Sequence, residues 1–326
     1  MEPFTIEEYR QTYLSDNRLN ELYQVKLFKI FVPKVYQGLE LSLGDGMIEL
    51  MRIAEVQGGL GWTLNLGAGA NWFSGFFNNE AAVEIFSPDQ AVIAGSGFTS
   101  GNFSKVENGF LIDGSWSRCT GAKHATFFSL NAKSEKGEVK TFVLPRHQVE
   151  LADEKWQIFG LRNTSSYAIN IQKETIPDRY RFTINTIQNP HAYLVHKVPF
   201  ETFARLCMSA SFVGIVKCFY NKCINHPVNQ ASLKFCEENL LPIIEKASGE
   251  CLVWSEKITQ SIKKDQFKTK EALKMQKALG GNNVKLYDKV QQLALKAGLP
   301  IVEEDTLVHW AYRDVLTAVQ HYMVKP

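Results

Sequence analysis

Long apolar runs, paired cysteine motifs and blocks of like charge are all missing from this 326-residue sequence. The longest uncharged apolar stretch runs from Leu206 to Val216, and it is far shorter than the roughly 20 residues that a bilayer-spanning helix needs. The first residues, MEPFTIEEYR, include acidic side chains and no apolar core, unlike a secretory signal. We therefore expect a cytoplasmic protein without a membrane span, in which the stretch from Leu206 to Val216 is a buried helix.

Cysteine, glycine and proline are too scarce to define an unusual class of protein. The six cysteines include no C-x-x-C pair, so we expect free thiols and no metal site. Lys and Arg number 36 against 34 Asp and Glu, and this balance argues against a nucleic-acid partner. With 22 Gly and 11 Pro, the composition is that of a folded globular protein.

The hydrophobic pattern changes twice along the chain. Apolar residues recur at helical spacing in the first and last parts, whereas the middle has short runs of Val, Ile, Phe and Thr between turn residues. The sequence predicts an N-terminal helical domain over 1–88, a central antiparallel β domain over 89–190 and a C-terminal helical bundle over 191–326. This order makes the chain an α+β protein with several domains.

The segment SKVENGFLIDGSW in the middle part predicts a β-hairpin. Asn108 and Gly109 supply the positive φ angles that a tight turn needs. If the strand after this turn alternates regularly, Trp116, Arg118 and Thr120 lie on one face of it.

Three segments, in this order, resemble acyl-CoA dehydrogenase-type flavoproteins. DGSWSRCTGAKHATFF resembles the hairpin that lies against the flavin ring, and WQIFGLRNTSS matches a W-x-x-x-G-(L/M)-R-x-T-x-S turn. The tail EEDTLVHWAYRDVLTAVQH resembles the last helices, where an Arg-Asp pair precedes the active-site segment. The resemblance begins near residue 20 and continues to the C-terminus. It implies N-terminal helices, a central antiparallel β-barrel-like domain, a C-terminal helical bundle and a flavin cofactor.

Within this superfamily the chain is closest to the two-component aromatic hydroxylases. That branch carries G-x-W-x-x-x-(S/T)-G-x-x-H-A and a His seven residues after the Asp of the Arg-Asp pair, which here is His321. Acyl-CoA dehydrogenases place a catalytic Glu one residue later, where this chain has Tyr322. The resemblance implies hydroxylation of a phenolic small molecule with O2 and with reduced FAD, or FMN, as a diffusible flavin from a flavin reductase.

Two residues are candidates for acid–base chemistry. A histidine has an unperturbed pKa of about 6.5, so His321 is expected to exchange a proton with a phenol near neutral pH. A histidine that merely caps the end of a helix is the alternative. Glu201 is the fallback base for dehydrogenation of a thioester, and a solvated carboxylate in the first turn of a helix is its alternative.

The resemblance also assigns the cofactor site. It places Trp116 and Thr120 at the flavin ring, Thr164 and Ser166 near the diphosphate, and Gly298 at the one glycine kept from a Gly-Gly pair. Arg118 stands where relatives have an aromatic residue, so it stacks on the flavin, pairs with a substrate anion, or marks a pocket that no longer holds flavin. An acyl-CoA dehydrogenase and a flavin-free relic of the fold are therefore the alternatives.

The C-terminal bundle is expected to mediate assembly. Apolar residues at 251–254 and 286–295 are too numerous for one small bundle to bury, and uncovered apolar patches mark interfaces. We expect a homodimer or a homotetramer.

Overall fold

The computed structural model describes residues 2–225 and 229–326, with the side chains of residues 154 and 155 outside that description. The N-terminal part is helical, as predicted. Thr5, Ser15, Ser42 and Asn78 begin four of its helices, because each side chain accepts a hydrogen bond from a backbone N–H of the first turn. The helices are α1 (Ile6–Arg10), α2 (Asp16–Gln24), α3 (Leu43–Val56), α4 (Gly58–Asn71) and α5 (Asn79–Phe86).

Seven strands form one open sheet in the middle of the chain. They are β1 (Ile93–Val106), β2 (Gly109–Cys119), β3 (Phe127–Lys133), β4 (Val139–Pro145), β5 (Glu150–Lys155), β6 (Tyr167–Ile176) and β7 (Arg181–Phe182), in the order β5-β6-β2-β1-β3-β4-β7. The sheet differs from the predicted antiparallel barrel in two details, because it is not closed and β1 pairs with β3 in parallel. The parallel pair arises because β2 returns to the end of the sheet where β1 begins, and β3 starts there.

The predicted hairpin joins β1 to β2. Val106 pairs with Gly109, so the two turn residues are Glu107 and Asn108. Of the two predicted positions, Gly109 alone has a positive φ, +150°. The hairpin is therefore confirmed, but its turn lies one residue earlier than the Asn-Gly pattern predicted.

The C-terminal part is again helical, and its first helix lies at the centre of the molecule. The helices are α6 (Phe200–Asn225), α7 (Gln230–Phe235), α8 (Leu241–Lys263), α9 (Thr269–Ala297) and α10 (Leu307–Ala318), with a π-helical turn at Cys236–Leu240. In the described part of the chain, α6 alone is long and apolar enough to cross a bilayer, but 89% of its apolar window is buried inside the fold. The predicted buried helix from Leu206 to Val216 is confirmed.

N-terminal and C-terminal helices share one core. Gly214 of α6 allows α3 to approach closely, because a Cβ there would lie 2.4 Å from the carbonyl oxygen of Met51. Phe203 of α6 stacks on Trp72 with ring centroids 4.5 Å apart and meets Phe31 edge-on at 5.0 Å. All six cysteines are free thiols, and all six are buried.

Candidate functional site

A β-bulge at Arg118 ends β2 and decides which side chains face outwards. Trp116 pairs with Ile169 and Cys119 with Tyr167, so β2 has one residue more than β6 between these pairs. Arg118 takes up the extra residue with a φ of +62°. The prediction that Trp116, Arg118 and Thr120 share one face is therefore wrong, because the bulge interrupts the alternation.

Trp116 is a core residue. Its side chain is fully buried, and its indole N–H donates to the carbonyl oxygen of Asn131 at 2.8 Å. Gly101 on β1 makes room for the ring, since a Cβ there would lie 2.1 Å from it. Trp116 therefore supports the sheet from within and does not face a ligand on the surface.

Three predicted cofactor residues form a chain of hydroxyl groups. The Oγ of Ser166 lies 3.0 Å from the Oγ1 of Thr120 and 3.0 Å from the Oγ1 of Thr164. Thr164 donates to the carbonyl oxygen of Leu161 at 2.8 Å. Thr164 and Ser166 are buried, whereas Thr120 is half-buried. Thr120 is therefore the member of this hydroxyl chain that reaches the surface, and the other two position it.

An exposed cluster of two rings and one cation lies beside the hydroxyl chain. Arg118 packs over the ring of Trp156 at 4.9 Å and lies 6.0 Å from the ring of Phe98. The backbone N–H of Trp156 donates to the carbonyl oxygen of Ser166 at 2.9 Å, which places the cluster next to Thr120. We call Phe98, Arg118 and Trp156 the aromatic–arginine face.

Sequence reasoning missed both rings of this face. Trp156 is 38% exposed and Phe98 is 54% exposed, which is unusual for large aromatic side chains. Trp156 is the first residue of the W-x-x-x-G segment, and that position was the available signal. Phe98 had no comparable signal, because an exposed ring in a strand cannot be told from a buried one by type alone.

Asp314 joins the turn of the β domain to the helices and was also missed as a site residue. Its carboxylate accepts the backbone N–H of Leu161 at 2.6 Å and the side-chain amide of Gln57 at 3.2 Å. Burial raises the pKa of Asp314 to about 7. Gly160 permits this contact, since a Cβ there would lie 2.1 Å from the carbonyl oxygen of Arg313.

His321 lies just beyond α10, against the helices. Its ring meets Trp62 edge-on, with centroids 5.7 Å apart, and stacks on Tyr322 at 5.1 Å. The backbone N–H of Met323 donates to its Nδ1 at 3.3 Å. In the neutral ring the proton is then on Nε2, which can donate a hydrogen bond.

His321 does not titrate near neutral pH, contrary to the sequence prediction. Burial, followed by the nearby positive charge of Arg205, lowers its pKa to about 4. Both effects disfavour the imidazolium form. The ring is therefore neutral at pH 7 and suited to donating a hydrogen bond from Nε2.

Glu201 lies in the first turn of α6 and is largely solvated. Its side chain is 67% exposed and forms an ion pair with Arg205 at 3.2 Å. This arrangement matches the alternative of a solvated charge at a helix end. His321 and Glu201 thus both lie near Arg205, whereas the hydroxyl chain and the aromatic–arginine face lie together on the β domain.

Gly298 belongs to neither group. It ends α9 with a φ of +73°, and no atom of the described chain lies within 4 Å of where a Cβ would stand. Leu295, Leu299 and Val302 around it are exposed. This end of α9 is an open, apolar surface.

No protein-family model matches the chain. Among curated proteins, it is similar to the flavin-dependent monooxygenase, oxygenase subunit HsaA of Mycobacterium tuberculosis, with 26% identity over 238 residues covering 69% of this chain and 60% of the relative. A pigment production hydroxylase of Rhodococcus sp. is 27% identical over 215 residues, covering 62% of this chain and 55% of the relative. The chain thus spans less than two thirds of the length of these relatives.

Solved structures match nearly the whole chain. The HsaA monooxygenase from M. tuberculosis has a TM-score of 0.88 at 18% identity, covering 98% of this chain and 92% of that one. XiaF from Streptomyces sp., in complex with FADH2 and glycerol, has a TM-score of 0.87 at 17% identity, covering 98% and 87%. Butyryl-CoA dehydrogenase from Megasphaera elsdenii has a TM-score of 0.79 at 13% identity, covering 98% and 89%.

The two kinds of comparison agree with the resemblance found in the sequence. The structural matches include both a monooxygenase and an acyl-CoA dehydrogenase, whereas the sequence matches are monooxygenases and hydroxylases. The predicted resemblance is confirmed: the chain has the acyl-CoA dehydrogenase-like fold, and its homologues include the oxygenase component of a flavin-dependent monooxygenase.

Proposed function

We propose that this chain is the oxygenase component of a two-component monooxygenase, which hydroxylates a phenolic substrate with reduced flavin and O2. The observation that carries the proposal is the His321 ring, which is neutral at pH 7 and packs against Trp62. It lies just beyond α10, the helix whose Asp314 accepts a hydrogen bond from the backbone of Leu161. Its Nε2–H is a suitable donor for a phenolic oxygen, and the related HsaA and hydroxylase sequences support this assignment.

The residues of the β domain fit a flavin ring. Phe98 and Trp156 offer exposed aromatic surface, and the Thr120 hydroxyl offers a hydrogen bond beside them. Thr164 and Ser166 would hold that hydroxyl in place. When bound, reduced flavin supplies the electrons that activate O2 for transfer of one oxygen atom to the substrate ring.

His321 acts on the substrate in this proposal. A donor at Nε2 stabilises the phenolate more than the phenol, so it lowers the pKa of the bound hydroxyl group. The electron-rich phenolate ring then reacts more readily. The packing of Trp62 and Tyr322 against His321 fixes the direction of the donor.

Neither of the two positions at which the resembled dehydrogenases carry their base presents a suitable carboxylate in the described chain. Tyr322 occupies the position of the dehydrogenase Glu, and burial raises its pKa further above neutral pH. Glu201 is held by Arg205 and faces solvent. A dehydrogenase function is therefore not favoured.

Flavin binding tests the proposal against the relic alternative. Anaerobic titration with reduced FAD and reduced FMN should change the tryptophan fluorescence, and Trp156→Phe should remove most of that change. After oxygen is admitted, phenols should yield hydroxylated products. Absence of any flavin effect on fluorescence or on melting temperature would contradict the proposal.

A flavin reductase is the proposed partner, because an oxygenase component needs an external source of reduced flavin. The related protein is itself named as an oxygenase subunit. We also propose a cytoplasmic location, which the six free and buried thiols support.

We also propose that the chain assembles through its C-terminal helices. Fewer apolar side chains are exposed there than the sequence predicted. Cys251 and Leu286 are buried within the chain, whereas Val253 is 48% exposed. Leu295, Leu299 and Val302, near the end of α9, are 89%, 69% and 63% exposed and form an apolar surface there. Light scattering should find a dimer or tetramer that Leu299→Glu weakens, and a monomeric wild type would contradict the proposal.

A further inference from the structure

Seven lysines cluster at the tip of the helical hairpin that α8 and α9 form. Residues 257–277 hold these seven lysines, two acidic residues and no arginine. The segment therefore has an excess of five positive charges, against two for the whole chain. We call its lysines the basic tip: Lys257, Lys263, Lys264, Lys268, Lys270, Lys274 and Lys277.

The protein does not neutralise the charges of the basic tip. All seven side chains are exposed, and none forms an ion pair with a side chain that the structure describes. Of the two acidic residues, Glu271 accepts a hydrogen bond from the hydroxyl group of Ser261 at 2.7 Å. α9 begins at Thr269 without a side-chain cap, so the positive end of its dipole adds to the charge.

The lysines of α9 form one stripe with an apolar side chain beside it. Lys270, Lys274 and Lys277 follow the spacing that places residues on one side of a helix. Leu273 lies next to this stripe and is 59% exposed. A large apolar side chain is therefore held in water among three positive charges.

α8 repeats this combination of charge and apolar surface. The ammonium group of Lys257 packs over the ring of Trp254 at 4.7 Å. The ring is half-buried, and its neighbour Val253 is 48% exposed. The hairpin thus presents exposed apolar side chains among lysines on both of its helices.

The composition of the tip distinguishes between kinds of partner. Protein interfaces are enriched in Arg and depleted in Lys, and specific contacts to DNA bases also favour Arg. A lysine ammonium is a point charge on a flexible stem, and it responds to the diffuse negative potential of a lipid surface. Several lysines on an amphipathic helix are typical of segments that bind anionic lipids.

We propose that the basic tip binds an anionic lipid surface, with Leu273 entering the headgroup region. The inference goes beyond the proposed function and does not depend on it. It requires no membrane span, because the helices would lie against the lipid surface. Lys270 and Leu295 are separated by 25 positions on α9, or roughly 37 Å along the helix, so assembly near Leu295 would leave the tip free.

The test measures binding of the full chain to lipid vesicles by cosedimentation. One set of vesicles is pure phosphatidylcholine, and the other contains about one-third anionic phosphatidylglycerol. In about 0.1 M salt the protein should bind the anionic vesicles at least about 100-fold more tightly. Most of this difference should disappear in about 1 M salt, because the Debye length falls from about 10 Å to about 3 Å.

Variants separate charge from apolar contact. The triple variant Lys270→Gln, Lys274→Gln, Lys277→Gln should weaken binding to anionic vesicles roughly 100-fold, since each charge near such a surface contributes about 5-fold. Leu273→Gln should weaken it several-fold in both salt concentrations, because apolar contact is not screened.

The matched control removes the same charge from another surface. It is the triple variant Lys133→Gln, Lys136→Gln, Lys173→Gln, whose side chains are exposed on the β domain. This variant should bind anionic vesicles as tightly as the wild type does. Equal losses in the two triple variants would reduce the effect to net charge and overturn the inference.

Three further outcomes would also overturn it. The first is equal binding to neutral and anionic vesicles, or no binding to either. The second is release of the protein from the vesicles by poly-glutamate or by single-stranded DNA at equal charge concentration, which would show a general site for polyanions. The third is a change of oligomeric state in Leu273→Gln by light scattering, which would show that the tip is a contact between subunits.

Discussion

The two groups of candidate site residues, one on the β domain and one on the helices, are built differently. On the β domain, Thr120, Ser166 and Thr164 share one chain of hydrogen bonds, and residues distant in sequence support each other. On the helical side, His321 is held by ring packing and by one backbone hydrogen bond, from Met323. The β-domain group therefore has redundant support, whereas the proposed chemistry of the helical group depends on a single side chain.

The largest effect is expected on the helical side. His321→Ala should lower the rate of phenol hydroxylation roughly 10²–10³-fold, the usual contribution of one positioned hydrogen-bond donor that stabilises negative charge, and leave flavin affinity nearly unchanged. His321→Gln keeps an N–H donor and should recover part of the rate. Stopped-flow measurement of product formation gives both values, with His147→Ala as an exposed control.

The pH dependence sharpens this prediction. Because His321 has a pKa of about 4, its ring is neutral at every pH above roughly 5. Between pH 5 and 8, any ionisation in the wild-type rate should persist in His321→Gln. An ionisation near pH 6.5 that disappears in this variant would mean that His321 carries a proton there, as the sequence suggested.

The next largest effect is expected on stability. Asp314 links the turn of the β domain to the helices, because its carboxyl group accepts hydrogen bonds from Leu161 and Gln57. Its proton is kept up to about pH 7 in the folded state, but the unfolded chain releases it near pH 4. The folded state binds more protons in between, so this group makes the free energy of unfolding decrease as pH rises from about 4 to about 7. Asp314→Asn should lose that contribution to the slope.

Urea unfolding at several pH values measures the slope directly. Asp314→Asn should also lower stability by about 1–3 kcal/mol at pH 5, because its amide group cannot accept both hydrogen bonds from Leu161 and Gln57. Parallel pH curves for the wild type and the variant would show that Asp314 is charged in the folded protein throughout this range.

A smaller effect is expected at Thr120 on the β domain, where several hydrogen bonds support the hydroxyl chain. Thr120→Val should weaken flavin binding by about 1 kcal/mol, or several-fold, since one hydrogen bond is lost. Thr141→Val is the matched control, because Thr141 donates to Asn131 at 2.8 Å in the same sheet. Titration of both variants with reduced FAD should separate them, and equal affinities would remove Thr120 from the site.

The smallest effect is expected at Glu201. Glu201→Gln removes an exposed ion pair with Arg205, and such pairs contribute about 0–1 kcal/mol. Hydroxylation should change by less than a few-fold. If the purified protein instead oxidises acyl-CoA thioesters and Glu201→Gln abolishes that activity, the proposed hydroxylation and the role of His321 in it are wrong.

The sequence predicted the parts of this site that depend on local pattern. Spacing of apolar residues indicated the helices and the buried segment of α6, and the motif residues Thr120, Thr164 and Ser166 do lie together. The bulge at Arg118 could not be predicted, because a sequence-based prediction assumes that side chains alternate regularly along a strand. The resemblance placed Trp116 at the flavin ring, whereas the structure buries its side chain within the sheet.

The electrostatic properties were harder to predict than the positions. The low pKa of His321 comes from burial and from Arg205, a residue far away in the sequence. The raised pKa of Asp314 likewise depends on burial by elements from three parts of the chain. Neither shift has a local signal, since both arise only after the chain has folded.

The close contact of α3 with α6 at Gly214 also constrains the order in which the protein can fold during synthesis. Roughly 150 residues, including the whole sheet, lie between the end of α3 and the start of α6. At about 5–20 residues per second, a ribosome needs roughly 7–30 seconds to make them. The apolar face of α3 must wait that long for its partner, so the nascent N-terminal helices are a natural substrate for chaperones.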